Sequence, residues 1–200
     1  MTSISYAIVD TFEKTIAEYA GSKFAVAVDS CSNALFLCLK YRKADSVTIP
    51  KRTYPGVACA VKNSGALLYF SNIKWQGVYP LIPYLIIDGA LRFKKGMYVK
   101  NSLHCLSFHA KKHLPIGRGG MILTDSIMAY EWLKRARFDG RHEVPLPEDK
   151  FDMLGWNMYM TPEQAARGLS LFEVVKDKDL KDIDSRFQGY PDLSQWEIYK

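Results

Sequence analysis

In SFHAKKHLPIGRGG, residues 107 to 120, Lys111 and Lys112 stand side by side between a serine and the glycines Gly117, Gly119 and Gly120. A lysine does covalent chemistry only as a neutral amine. A free one titrates near ~10.4, so burial or a neighbouring cation must lower it, unless it is held as a Schiff base. Neighbouring side chains on an extended segment point to opposite sides, so one of the pair can face a cleft while the other faces water. The glycines permit a tight turn and close backbone approach. From these residues alone, two solvated lysines before a glycine turn remains the simpler reading.

Three further features carry possible chemistry. Asp88 closes the apolar run YLIID and precedes Gly89 and Ala90, which puts a carboxylate at the C-terminal end of a buried strand. Open α/β sheets bind ligands at that edge, although an aspartate there also caps loops. The turn DSCSN, residues 29 to 33, offers backbone N–H groups and a serine hydroxyl at a helix start, which suits a phosphate, although taken alone an ordinary N-cap is the simpler reading. Tyr54, between a strand and Pro55, could cover a flat ligand or simply pack.

The elements that must position these groups follow from periodicity. Ile8, Phe12, Ile16 and Tyr19 form one apolar stripe of a helix that Gly21 stops. FAVAV reads as a strand, and VDSCSNALFLCLKY as strand, turn and helix with Ser30 or Ser32 as N-cap. SVTIP, GVACAVKNSG and ALLYF repeat strand, helix and strand. YLIID, LHCLSF and GGMILTD add strands, and 126 to 138 and 161 to 175 add helices. This alternation predicts an α/β domain whose continuously apolar strands are buried and mostly parallel. From residue 176 the chain turns charged and turn-rich and is expected to be a loosely packed tail.

Composition narrows the functions. With 200 residues and 48% hydrophobic content, one domain can bury a sizeable core without disulfides or metal. The 27 basic residues against 21 acidic ones give +6, a mild excess that suits a small anion better than nucleic acid. Cys31, Cys38, Cys59 and Cys105 lack metal-ligand spacing and read as small core residues of a reduced compartment. Asp10, Glu13 and Glu18 in the first helix argue against a signal peptide, and the run VYPLIPYLII is too short to span a membrane. A cytoplasmic protein is expected.

Taken in order, four segments resemble the DegT/DnrJ/StrS family of pyridoxal-phosphate sugar aminotransferases, which have the fold type I architecture. VDSCSNAL (28 to 35) is similar to the family's phosphate-binding segment, and IPKRTYPGVACAVKNSGA (49 to 66) to the segment carrying its ring-stacking aromatic. IIDGA (86 to 90) is similar to the aspartate segment, and SFHAKKHLPIGRGGMILTD (107 to 125) is the most specific match. The resemblance implies Lys112 as the Schiff-base lysine, because it lies five residues after Ser107, with Lys111 a bystander. It implies that Asp88 pairs with the pyridinium nitrogen and that Tyr54 stacks on the ring. Ser32, Ser107 and the amides of Cys31 and Ser32 would hold the phosphate. GWNMYMTPEQAARGL (155 to 169) resembles the family's GxNyRms segment, in which Asn157 would reach the phosphate of a neighbouring subunit, so the site would need a homodimer.

The chain also departs from the family. Cys31 and Ser32 replace glycine and threonine, Leu91 stands where a polar residue is usual, and Arg118 where an acidic one is. Fewer residues separate Ala66 from Asp88 than the family uses. The expected fold is therefore a three-layer, fold type I large domain with a mostly parallel central sheet, shortened, over 1–175, with 176–200 a tail in place of the small domain. The expected function is transfer of an amino group from glutamate or glutamine to a nucleotide-linked keto sugar, with pyridoxal 5'-phosphate as cofactor and no metal. The alternative is a relic that binds cofactor or a partner without turnover. A nucleic-acid module ranks last.

Overall fold

The computed structural model describes residues 4–200. Ile4–Ala20 forms α1, Phe24–Val28 β1, Cys31–Tyr41 α2, Ser46–Pro50 β2, Pro55–Ser64 α3 and Leu67–Ser71 β3. Tyr79–Leu81 forms β4, Ile86–Asp88 β5, Leu103–Ser107 β6, Gly120–Thr124 β7, Ile127–Ala136 α4 and Pro162–Val175 α5. In α1, Phe12 and Ile16 are fully buried and Tyr19 nearly so, and Gly21 at φ +84° ends the helix as expected. The α2 cap is Ser30, whose side chain accepts from the Asn33 amide. Thr161 and Gln164 close a capping box at the start of α5, with Pro162 at the first helical position.

The strands are ordered β1-β7-β6-β5-β4, and the parallel pair β2-β3 continues this sheet through an antiparallel bridge. There the Thr48 amide donates to the Ile82 carbonyl (2.8 Å) and the Ile82 amide to the Thr48 carbonyl (3.1 Å). Following the pairings, β1, β2, β3, β5 and β6 point one way, while β4 and β7 run against them. Side chains alternate across the sheet: Val26, Val28, Leu103, Cys105 and Ile122 face α2, α3 and α4. Ala25, Ala27, Leu106, Met121 and Leu123 face α1 and α5. Both faces are covered, which gives the three layers and explains strands without polar alternation.

Three expectations change. VYPLIPYLII is not one run leading into a strand from Tyr84; it folds back on itself, with β4 and β5 joined by residues 82 to 85. Pro83 has no N–H to give a ladder, which favours the turn there. Nor is the tail loose. Leu193 is 1% exposed and belongs to the core, the Ile183 amide donates to the Leu91 carbonyl (2.9 Å), and Arg92 grips Asp182 with two hydrogen bonds. Cys59 is a third difference, since it is exposed on α3 while Cys38 and Cys105 are buried. Among the described residues no helix is long and apolar enough to cross a membrane.

Candidate active site

The C-terminal ends of β1, β2, β5 and β6 lie along one edge of the sheet, and the loops leaving them carry most of the singled-out residues. Asp88, last in β5, is 5% exposed. Its Oδ1 accepts from the Ala90 amide (2.9 Å) and its Oδ2 from the Tyr79 hydroxyl (2.7 Å). Burial raises the Asp88 pKa, while the Ala90 amide, the Tyr79 hydroxyl and the charge of Lys112 act against that rise.

Lys112 sits in the loop between β6 and β7, which is closed by Phe108 N–H to Gly119 O (2.9 Å) and Ala110 N–H to Gly117 O (3.1 Å). Gly117 and Gly119 both take positive φ there, at 115° and 155°. Lys112 is half-buried and Lys111 exposed, so the pair divides between cleft and water. Burial lowers the Lys112 pKa, and Asp88 and Cys31 pull it back up. The Cys31 thiol is pushed well up, first by burial and then by Asp88, against the pull of Lys112. These three side chains therefore share one electrostatic neighbourhood.

The anion-binding end is the start of α2. Ser30 occupies the Asn33 and Ala34 amides through its side chain and carbonyl, whereas the Cys31 and Ser32 amides, first in the helix, have no intrahelical acceptor. Gly120 makes the approach possible: a Cβ there would stand 2.5 Å from the Ser30 carbonyl carbon and 2.6 Å from the Cys31 nitrogen. Ser107 is the register partner of Gly120 and so lies beside the same helix end. Tyr54 is 58% exposed, and a Cβ on Gly56 would meet both its ring (2.7 Å) and Ser32 Oγ (2.5 Å), which places ring and hydroxyl side by side. Arg118 adds a positive charge at this end, its Nη2 2.7 Å from Asp29 Oδ2.

Asn157 stands apart. Its segment is adjacent, since the Asp29 amide donates to the Met158 carbonyl (2.9 Å), but the exposed Asn157 side chain donates to Asp139 Oδ2 (3.0 Å). Leu91, 1% exposed, is part of the interior and offers nothing polar.

Sequence reasoning missed an aromatic wall. Trp75 packs on Tyr79 with centroids 4.5 Å apart and on Tyr190 at 6.1 Å and 18° between planes. Burial first, then Asp88, Tyr54 and Cys31, push the Tyr190 hydroxyl up to about 12. Arg52 Nη1 donates to the Tyr190 carbonyl (3.3 Å), and Lys51 pairs with Asp192 (3.1 Å). A hairpin reading of residues 78 to 88 would have placed Tyr79 opposite Asp88; no local signal foretells Tyr190. His104, fully buried in β6, was also missed. Burial and Arg92 push its pKa down to about 4. Its Nδ1 accepts from the Val99 amide (3.3 Å), so Nε2 carries the hydrogen, and that nitrogen finds no partner among the described residues.

The donor set suits a ligand with a phosphate at one end and a protonated ring nitrogen at the other. Free amides and hydroxyls at the positive end of the α2 dipole meet the phosphate. A buried carboxylate with spare lone pairs meets the nitrogen, and a partly buried amine stands near it.

The model of the DegT/DnrJ/EryC1/StrS aminotransferase family matches residues 2–80 and 96–182. Asp88 and Leu91 fall in the unmatched stretch, so the position of Asp88 rests on the geometry above. The spore coat polysaccharide biosynthesis protein SpsC of Bacillus subtilis (strain 168) is 25% identical over 235 residues, covering 90% of this chain and 60% of SpsC. Among solved structures, AtS13 from Actinomadura melliaura superposes with a TM-score of 0.74 at 20% identity, over 84% of this chain and 60% of AtS13. The sugar aminotransferase CalS13 from Micromonospora echinospora gives 0.73 at 17% identity, over 83% and 60%. The chain thus spans about 60% of the length of these relatives. The three-layer α/β fold expected from the sequence is the fold these structures share.

Proposed function

Because the chain belongs to the DegT/DnrJ/EryC1/StrS aminotransferase family, we propose that it is a pyridoxal 5'-phosphate-dependent aminotransferase acting on a nucleotide-linked keto sugar, with glutamate or glutamine as donor. The observation that carries this reading is the half-buried Lys112 amine set near the buried Asp88 carboxylate, beside the open N-terminus of α2. When bound, pyridoxal phosphate would supply an electron sink for the pair left as a substrate carbon loses its proton.

The chain's own residues do the rest. The Cys31 and Ser32 amides and the Ser32 and Ser107 hydroxyls hold the phosphate, with the Arg118–Asp29 ion pair beside them. Asp88 keeps the ring nitrogen protonated, since a carboxylate beside it favours the charged form. Tyr54 covers the ring face. Lys112 Nζ would hold the cofactor and, when its amine is free and neutral, would serve as the base that takes up and returns the substrate proton. Burial helps by moving this amine toward its neutral form.

Residues 1–175 are the abridged cofactor domain in this proposal, and 176–200 serve in place of a small domain by folding over the strand ends. Asn157, exposed and engaged only by Asp139 among its described hydrogen bonds, reaches a neighbouring subunit's phosphate in a homodimer. The four cysteines are free, which fits a reducing cytoplasm, and polysaccharide biosynthesis is the proposed setting.

The test is to incubate the protein with pyridoxal phosphate, reduce with borohydride and map the labelled peptide. Label on Lys112, with glutamate-dependent bleaching of the visible band before reduction, is the expected result. A second reading, cofactor or partner binding without turnover, draws on Tyr190 standing near Asp88. It predicts label on Lys112 and a band that glutamate does not bleach. Label scattered over surface lysines sinks both.

A further inference from the structure

β4 and β5 pair with Tyr79 directly opposite Asp88, so the two side chains share one face of the sheet. The Tyr79 hydroxyl donates its one hydrogen to Asp88 Oδ2 (2.7 Å). Its 2.6 Å contact with Thr53 Oγ1 must then run the other way, with Thr53 donating to Tyr79. Thr53 is 1% exposed, Tyr79 2% and Asp88 5%, so little water can replace either hydrogen bond.

We propose that Tyr79 is a positioning residue for Asp88. Thr53 orients the Tyr79 hydroxyl, and the hydroxyl fixes the direction of the carboxylate and keeps it ionised inside the sheet. For the cofactor this inference rests on the function proposed above, because an ionised, fixed carboxylate is what a ring nitrogen needs to stay protonated. The relay itself is a property of the chain alone.

Burial drives Asp88 toward its neutral form, and few groups oppose it. Facing it are Tyr79 from β4, Lys112 from the β6–β7 loop, Cys31 from α2, Cys105 from β6 and Tyr190 from the C-terminal segment. Only Lys112 among these carries positive charge. The two thiols and two phenols are neutral near pH 7, since burial raises all four. Without the Tyr79 hydroxyl, the Ala90 amide and Lys112 are left to hold the charge.

The experiment titrates the aspartate carboxyls of the unliganded full chain by carbon-13 NMR, comparing wild type with Tyr79→Phe, and uses Asp88→Asn to assign the resonance. Tyr79→Phe keeps the ring and removes one oxygen. The expected result is a rise of the Asp88 midpoint by about one pH unit, the scale of one lost hydrogen bond to a charged group. Thr53→Val, which leaves Tyr79 in place, should move it the same way by less. An Asp88 midpoint equal to wild type in Tyr79→Phe overturns the proposal, and if that variant does not fold, an unmoved midpoint in Thr53→Val does so.

In protein loaded with pyridoxal phosphate, the acid limb of cofactor binding should move upward in Tyr79→Phe, while binding at alkaline pH stays within about threefold of wild type. A uniform loss at every pH would show a packing role only and overturn the proposal. Wild type that fails to label at Lys112 would sink the aminotransferase reading, yet the unliganded titration would still decide whether Tyr79 governs Asp88.

Discussion

The strand edge that carries Asp88, Ser107 and Gly120 and the segment from residue 181 to 193 that folds over it are held by different means. The edge is fixed by backbone ladders and by burial on both sheet faces, with α2 seated so closely that Gly120 has no room for a methyl group. Among its described residues the overlying segment has no ladder of its own. There it is held by the buried Leu193, by Tyr190 stacked on Trp75, and by separate polar contacts: Arg92 with Asp182, Ser185 Oγ to Trp75 O (2.7 Å), His113 Nε2 with Lys181 O (2.8 Å), Lys51 with Asp192 (3.1 Å) and Leu193 N–H to Lys51 O (2.8 Å). Many weak, mutually dependent contacts make the edge cooperative, whereas a few separable ones let the segment open by itself. The lysine and carboxylate thus stand on the rigid part, and Tyr190 on the part that can open.

The largest effect expected from breaking this contrast is on the edge. Gly120→Ala forces the Ser30–Cys31 backbone away from β7 and should cost about 2–3 kcal/mol of global stability, read by denaturant unfolding. An unchanged midpoint would mean the edge is as yielding as the segment above it.

Leu193→Ala should remove about 2 kcal/mol, but locally. Amide exchange of residues 181 to 193 should accelerate while β6 and β7 keep their protection. Equal acceleration in the strands would erase the distinction between the two regions.

The smallest effect is the pH response of the Arg92–Asp182 pair. The hydrogen bond from Arg92 holds the Asp182 carboxyl below its ordinary range. A depressed carboxylate stabilises the fold fully above its unfolded pKa, near ~3.9, and that contribution disappears as pH falls through the lower folded value. Protection of residues 181 to 193 should therefore weaken in acid before the strands do. Asp182→Asn should weaken it at neutral pH by about 1 kcal/mol and flatten the acid dependence. A slope unchanged in that variant would assign the acid effect elsewhere.

Sequence patterns located most of the edge. The stripe of α1, the strands FAVAV and LHCLSF and a serine cap at Ser30 or Ser32 are local signals; the structure keeps the elements within a residue or two and chooses Ser30 as the cap. The separation of Lys112 from Lys111 was not legible from the residues themselves, because the pair sits in a turn, with the Lys112 amide donating to the His109 carbonyl (2.8 Å), and not on an extended backbone; only the resemblance singled out Lys112. The hairpin that brings Tyr79 to Asp88 was not legible either, because VYPLIPYLII reads as one apolar run until it has a partner to fold against. Asn157 was marked by its segment, but its side chain meets Asp139, a contact set by how residues 155 to 159 lie against the loop after α4.

The sequence alone settled the alternation of helices and strands and the order of the chemical residues along it, because periodicity, caps and glycine turns act over a few neighbours. Only the tertiary structure decided that Thr53, Tyr79 and Asp88 form one buried relay and that Tyr190 crosses to the mouth of the site. Strand register and the path of the last residues depend on contacts between positions far apart in the chain. Tyr190 meets Arg52 across 138 residues, and Asp182 meets Arg92 across 90. Such pairings are chosen by what the whole core leaves unfilled, and no short stretch of residues carries that information.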